Sequence, residues 1–158
     1  MKLSYNYIVS NTVQMVEPIQ QSAAEEEPQY EKRIYTYTNG HKYDGRWLNK
    51  KKDGPGVFTW RTGEVYDGEY KEDKRHGQGK MTYADMSTYD GAWINDKKEG
   101  EGTLTYPDGD SYEGWFKDDK IHGNGVMTWR SASGARYDGE WLNGKKHGQG
   151  TMRYSDGS

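Results

Sequence analysis

The stretch Tyr137-Asp138-Gly139-Glu140-Trp141-Leu142-Asn143-Gly144-Lys145-Lys146-His147-Gly148-Gln149-Gly150-Thr151-Met152-Arg153-Tyr154-Ser155-Asp156-Gly157 decides the fold, because it occurs with variations five times. Its opening Tyr-x-Gly stands also at Tyr43-Asp44-Gly45, Tyr66-Asp67-Gly68, Tyr89-Asp90-Gly91 and Tyr112-Glu113-Gly114, at steps of 23, 23, 23 and 25 residues. A Gly-x-Gly follows each time, at Gly54/Gly56, Gly77/Gly79, Gly100/Gly102, Gly123/Gly125 and Gly148/Gly150. The second of those glycines is always 13 residues after the tyrosine. Self-similarity at this period marks a repeat architecture and outranks local propensity.

Each unit reads as a β-hairpin. Tyr43, Gly45 and Trp47 alternate with Asp44 and Arg46, the period of a strand with one buried face. A second strand is expected after Gly56, where Phe58 and Trp60 alternate with Val57 and Thr59. The same two slots hold Met81/Tyr83, Leu104/Tyr106, Met127/Trp129 and Met152/Tyr154. The strand glycines leave bare backbone on which a neighbouring ring can lie.

Turn chemistry joins the units at Asn39-Gly40, Thr62-Gly63, Pro107-Asp108-Gly109, Ser133-Gly134 and Asp156-Gly157. One joint has Asp85-Met86 instead, so either Met86 takes a strained backbone or that turn differs. The two extra residues at Ser131–Gly134 predict a longer loop. Tyr35, Tyr37 and Gly40 match the second strand and turn of a unit, which makes 34–42 a half-repeat and 34–158 the array. Residues 1–33 form an N-terminal extension: Gln20–Pro28 is polar and acidic and reads as a flexible linker. Leu3, Tyr5, Tyr7 and Val9 alternate and suit a short strand or a docking peptide.

Composition agrees. In 158 residues there are four Leu, five Ile, six Val and two Phe, against 14 Tyr, six Trp and 21 Gly. That is too little aliphatic content for a helical bundle or a doubly wound α/β domain, and Tyr, Trp and Gly favour strands and turns. The absence of Cys excludes disulfides, thiolate metal sites and a cysteine nucleophile, and fits a reducing, cytoplasmic setting. No stretch has the apolar length of a signal peptide or a membrane span. A net charge of −3 gives no steering towards nucleic acid.

The 137–157 stretch closely resembles the MORN repeat, the "membrane occupation and recognition nexus" motif, and the resemblance covers residues 43–158 with a half-unit before them. Tyr70 and Phe116 stand where the motif has Trp, and Asp53 and Glu99 where it has His. The resemblance implies an all-β, elongated single layer of antiparallel hairpins with open ends, no catalytic machinery and no cofactor. At ~4.8 Å per strand, ten strands make a twisted ribbon on the order of 50 Å long. Lone hairpins are marginal, so stacking must supply the core. MORN repeats accompany catalytic domains in lysine methyltransferases and phosphatidylinositol phosphate kinases, and residues 1–33 are too few for either.

Candidate chemistry in the units has simpler readings. His76, His122 and His147 are a whole hairpin or more apart, ~10 Å at least, too far to share one zinc with ~2 Å bonds; a hydrogen bond to the Gly-rich loop is expected. Gly77-Gln78-Gly79 and its relatives lack the further residues of a phosphate loop. Asp44, Asp67, Asp90, Glu113 and Asp138 repeat too regularly for one glycosidase-like carboxylate pair and read as a structural or solvated face. No catalytic residue, metal or small-molecule substrate follows.

Two surfaces remain. The aromatic face offers Tyr70, Trp93, Phe116 and Trp141 with Trp60, Tyr83, Tyr106 and Trp129, rings that line a groove if a single layer leaves them uncovered and otherwise form the core. The segments after each first strand (Leu48–Asp53, Lys71–His76, Ile94–Glu99, Lys117–His122, Leu142–His147) carry a combined +5 along one edge. Lys50, Lys51, Lys52, Lys74, Arg75, Lys145 and Lys146 are there the candidates for acidic phospholipid, with Glu72, Asp73, Asp118 and Asp119 offsetting them. The uncapped strand after the last unit either invites pairing with another chain, a second copy included, or means that further repeats follow. The expected function is a scaffold that binds protein through its aromatic face, in the cytoskeletal, ciliary or membrane-apposed settings the resemblance implies. The alternative is a peripheral membrane adaptor. Carbohydrate binding, known from other aromatic hairpin repeats, fits the His-Gly-x-Gly segment poorly.

Overall fold

In the computed structural model, which describes residues 28–130 and 134–155, each unit contributes two strands. They run β1 (Tyr30–Thr36), β2 (Lys42–Leu48), β3 (Lys51–Thr59), β4 (Val65–Lys71), β5 (Lys74–Thr82) and β6 (Thr88–Ile94). Then follow β7 (Lys97–Thr105), β8 (Ser111–Lys117), β9 (Lys120–Trp129), β10 (Ala135–Leu142) and β11 (Lys145–Arg153). All eleven form one open antiparallel sheet in the order of the sequence. The chain is an all-β, single-layer array of hairpins. Among the described residues there is no helix long and apolar enough to cross a membrane. The expectations for Leu3–Val9 and the linker up to Glu27 lie outside the described residues, as do 131–133 of the expected longer loop.

The half-repeat is β1, which pairs with β2 from Tyr30↔Leu48 to Thr36↔Lys42. It therefore begins four residues ahead of Ile34, within the stretch read as extension. Tyr35 meets Trp47 edge-on at 5.9 Å and Tyr37 lies 5.8 Å from Phe58, so the half-unit continues the ring packing.

The hairpins are tighter than the sequence suggested. A second strand starting only after Gly56 implies a connection that takes in the segment Leu48–Asp53 and the Gly-x-Gly behind it. Instead β3 starts at Lys51 and the connection is the pair Asn49-Lys50, with φ of 50° and 65°. Glu72-Asp73, Asn95-Asp96, Asp118-Asp119 and Asn143-Gly144 turn in the same left-handed way. Two consecutive positive φ angles are the type I′ signature, whose twist matches the flanking strands, and Asn and Asp tolerate it best. Gly-x-Gly consequently lies inside a strand. Gly45 pairs with Gly56 but Trp47 with Lys52, and Gly54 (φ 84°) absorbs the extra residues as a bulge.

On the opposite edge, Tyr37, Trp60, Tyr83 and Tyr106 open turns of one geometry. Their carbonyls accept from the amides of Gly40, Gly63, Met86 and Gly109 at 2.9–3.0 Å. Asn39, Asp85 and Asp108 brace three of these turns by accepting from the amide two residues on. Met86 thus takes the strained conformation, at φ 69° and 73% exposed. A left-handed non-glycine residue costs about 1–2 kcal/mol, and glycine's extra freedom in the unfolded chain returns part of that. Met86→Gly is expected to stabilise the array by about 0.5–1 kcal/mol, read as a higher urea midpoint at constant m; a lower midpoint would refute the strain.

The core is a line of rings. Tyr43, Tyr66, Tyr89 and Tyr112 have no exposed surface. Each stands edge-on to the ring four residues on and to the matching ring of the next unit. Tyr66 is 5.2 Å from Tyr70 and 5.4 Å from Trp93, and Tyr89 is 5.1 Å from Trp93 and 4.9 Å from Phe116. Edge-to-face pairing suits the ring quadrupoles. The tyrosine hydroxyls donate to the bulge, to the carbonyls of Arg46, Glu69, Ala92 and Trp115 at 2.9–3.1 Å. Burial pushes the phenols of Tyr43, Tyr66 and Tyr89 well above their ordinary range and that of Tyr112 up to about 12. They stay neutral donors throughout the physiological range.

Candidate interaction surfaces

The alternation in β2, β4, β6, β8 and β10 turns the tyrosine-bearing positions to one face and their neighbours to the other. On the first face the eight candidate rings divide. Tyr70, Trp93, Phe116 and Trp141 are 1–6% exposed and belong to the core. The indoles reach across to the previous unit: Trp93 Nε1 donates to the Gly79 carbonyl at 2.9 Å and Trp141 Nε1 to that of Gly125 at 3.1 Å. Trp60, Tyr83, Tyr106 and Trp129 are half-buried beside the core. They form a row along the edge that carries the Gly40-type turns, with Tyr154 (50% exposed) continuing it.

Cations of the second strands lean over this face. Lys52 Nζ lies 4.8 Å from the Phe58 ring and Arg75 lies 4.3 Å from Trp93. Lys146 sits 4.8 Å from Trp129 and 4.7 Å from Tyr137. Desolvation lowers the pKa of Lys52 and Lys98, partly offset by Asp73 and Asp119. A recess of about 110 Å³ opens among Lys52, Trp60, Tyr70 and Arg75. Of the seven basic residues proposed for lipid, then, Lys52, Arg75 and Lys146 are engaged with the protein's own rings. Lys50, Lys51, Lys74 and Lys145 project from the hairpin edge, Lys51 with Glu72 at 3.8 Å.

The acids on that edge have a role that charge counting missed. Asp73, Asp96 and Asp119 each accept, at 2.9 Å, from a backbone amide in the preceding hairpin, that of Lys52, Arg75 and Lys98. Their own amides donate back to the carbonyls of the same three residues at 2.9–3.1 Å. Each turn is thereby clasped to the one before it. Asp53 and Glu99, where other units have His, accept from Glu72 N and Asp118 N. The signal was present as Asp at the second turn position in three units, against Lys50 and Gly144 at the two ends. The partner lies 21 residues away, beyond any local reading. The expected bond from the loop histidine to its glycine segment is absent at His122, whose Nδ1 is buried with no partner. Tyr112 hydroxyl reaches the His122 carbonyl instead, at 3.5 Å.

The second face is polar and bears an open groove of about 670 Å³. Asp90, Glu101, Glu113, Asp138, Arg136 and Trp115 line it. Trp115 is 51% exposed. Among the described residues, no three His, Asp or Glu side chains come together as a metal would need.

Comparison with known proteins agrees with this geometry. The family description "MORN repeat" matches residues 43–65, 66–87, 89–111, 112–133 and 137–158. No curated protein is similar enough to count as a match. MORN repeats generally mediate protein or membrane interactions and are generally non-enzymatic. The matched segments are the units that fold here as successive, mutually clasped hairpins, and the chain belongs to the MORN-repeat family.

Proposed function

We propose that this chain is a non-enzymatic scaffold that holds a protein partner against the row Trp60, Tyr83, Tyr106 and Trp129. The observation behind this reading is that these rings are half-buried and regularly spaced beside a core that fixes them. Aromatic anchors held rigid by their surroundings lose little entropy on binding and dominate interface energetics. Tyr70, Trp93, Phe116 and Trp141 then support the surface from beneath rather than touch the partner. The reading places the protein in the cytoplasm, in a cytoskeletal or ciliary assembly. It treats phospholipid binding through Lys50, Lys51, Lys74 and Lys145 as the competing outcome.

The test is capture of partners from source cells by the tagged chain at moderate and high salt, with two variants alongside. Retention of a defined protein at high salt is expected, since apolar burial is insensitive to screening. Trp60→Ala with Trp129→Ala is expected to lose that protein while keeping the wild-type circular dichroism. Lys50→Glu with Lys145→Glu is expected to keep it. Recovery only of acidic phospholipid, lost with salt or with the lysine reversal, would overturn the scaffold reading.

A further inference from the structure

The strand register builds something on the polar face that is not apparent in any single unit. Pairing carries Asp44 to Val57, Val57 to Asp67, Asp67 to Lys80, and Lys80 to Asp90. It continues from Asp90 to Thr103, Glu113, Val126 and Asp138. Asp44, Asp67, Asp90, Glu113 and Asp138 therefore stand in one line along the length of the array, on every second strand. At ~4.8 Å between strands, adjacent carboxylates are about 10 Å apart.

We propose that this face is a second docking surface, taking an extended basic protein segment with Lys or Arg at every third residue. Charge complementarity identifies the occupant. The groove is lined by Asp90, Glu101, Glu113 and Asp138, and its one lining cation, Arg136, lies 3.5 Å from Asp138. Among the described residues Asp90, Glu101 and Glu113 form no ion pair, in contrast to Glu72, Asp96 and Asp118 at the turns. Spacing sharpens the class. A polyproline-II chain rises ~3.1 Å per residue with three residues per turn, so every third side chain returns to one side about 9 Å on. That nearly matches the carboxylate interval and leaves the intervening residues free of the sheet.

Trp115 adds a feature independent of the acids. At its position the other units carry Arg46, Glu69, Ala92 and Glu140. Glu69 and Glu140 are turned onto their own bulges, accepting from Gln78 N at 3.3 Å and Gln149 N at 3.0 Å. Trp115 instead leaves half its surface open on the groove, beside Glu101, its cross-strand partner. An indole next to a carboxylate is a seat for a guanidinium, by cation–π contact on one side and a charged hydrogen bond on the other. Anionic membrane and nucleic acid have the wrong sign for this face. So does the chain's own segment 1–27, which holds one Lys against four Glu.

This inference stands apart from the scaffold reading, because it uses the opposite face and a different chemistry. The probe is a fluorescent peptide of four Arg-Pro-Pro triplets, titrated against the full chain by anisotropy at low salt. The comparison peptide has the same composition with its arginines contiguous. Preferential binding of the triplet peptide is expected, weakening as salt rises through the range where the Debye length falls below ~10 Å. Asp90→Asn with Glu113→Gln should weaken it about tenfold, the effect of removing two exposed ion pairs. Trp115→Ala should weaken it further in combination. Trp60→Ala with Trp129→Ala should leave it unchanged, so failure here and failure of the scaffold reading are separable. All these side chains except the Trp60 and Trp129 rings are exposed, and circular dichroism checks each variant's fold. Equal affinity for the two peptides, or indifference to the acid and Trp115 variants, would overturn the proposal.

Discussion

Trp93→Ala is expected to destabilise the middle of the array by about 4–5 kcal/mol, enough to leave it unfolded or split into two short halves. Removing a buried Trp costs roughly 3–5 kcal/mol, and Trp93 is 1% exposed at the centre of the ring line. Two neighbours on different hairpins lose their edge-to-face partner at once, Tyr89 at 5.1 Å and Tyr66 at 5.4 Å. The Gly79 carbonyl loses its 2.9 Å donor inside the core, and Arg75 loses the face it covers at 4.3 Å. Domains of this size are held by only about 5–15 kcal/mol in all. A repeat array transmits stability only between neighbours, so no distant contact compensates. Trp93→Phe should be much milder, about 1–2 kcal/mol, because Tyr70 and Phe116 already occupy the equivalent slots without an indole donor. Urea unfolding followed by circular dichroism decides it. An alanine variant with the wild-type midpoint would mean that the rings are not the core.

Gly79→Ala should cost about 3 kcal/mol by adding one carbon. A Cβ at Gly79 would come within 2.2 Å of the Tyr66 hydroxyl oxygen and 2.5 Å of its Cζ. The ring cannot retreat, since Tyr66 is fully buried, held between Tyr70 and Trp93, and bonded to the Glu69 carbonyl at 3.0 Å. Overpacking of this kind costs about 1–3 kcal/mol and sometimes more, and displacing Tyr66 also frees the bulge carbonyl it caps. The control is Gly109→Ala. There nothing lies within 4 Å and only the left-handed φ of 90° opposes the methyl, a strain of about 1–2 kcal/mol. A Gly79→Ala variant as stable as Gly109→Ala would show that Tyr66 does not rest on that backbone.

The ring on bare glycine is the part of the fold most legible in the sequence. Tyr43 to Gly56 keeps a fixed interval of 13 residues in every unit, and the structure lays the ring against that glycine's backbone. The tightness of the hairpins was less legible. Gly-x-Gly looks like a loop, and its actual use, a bulge at Gly54 inside a strand, depends on a positive φ that composition does not announce. Non-local features were hidden for a physical reason. Asp73 finds the Lys52 amide, and Asp44 lines up with Asp138, only through pairing across hairpins; counted alone, both are surface acids. The candidate rings fall between these cases. Their shared face followed from alternation, but the division between buried Trp93 and half-buried Trp129 depends on which side chains of the neighbouring hairpins flank each ring: Tyr66, Tyr89 and Arg75 enclose Trp93, and Lys146 lies over Trp129.

The strictly sequential strand order, with each turn clasped only to the one before, also fixes how the molecule bears load. Strands lie across the long axis, so tension applied at the two ends meets the hydrogen bonds singly, in peeling geometry, rather than all together in shear. The outermost hairpin yields first, and each release lets out about 23 residues of slack, roughly 75 Å of chain at full extension. Such a protein is a stepwise tether: it gives way in quanta from an end, while every hairpin still seated keeps its own packing.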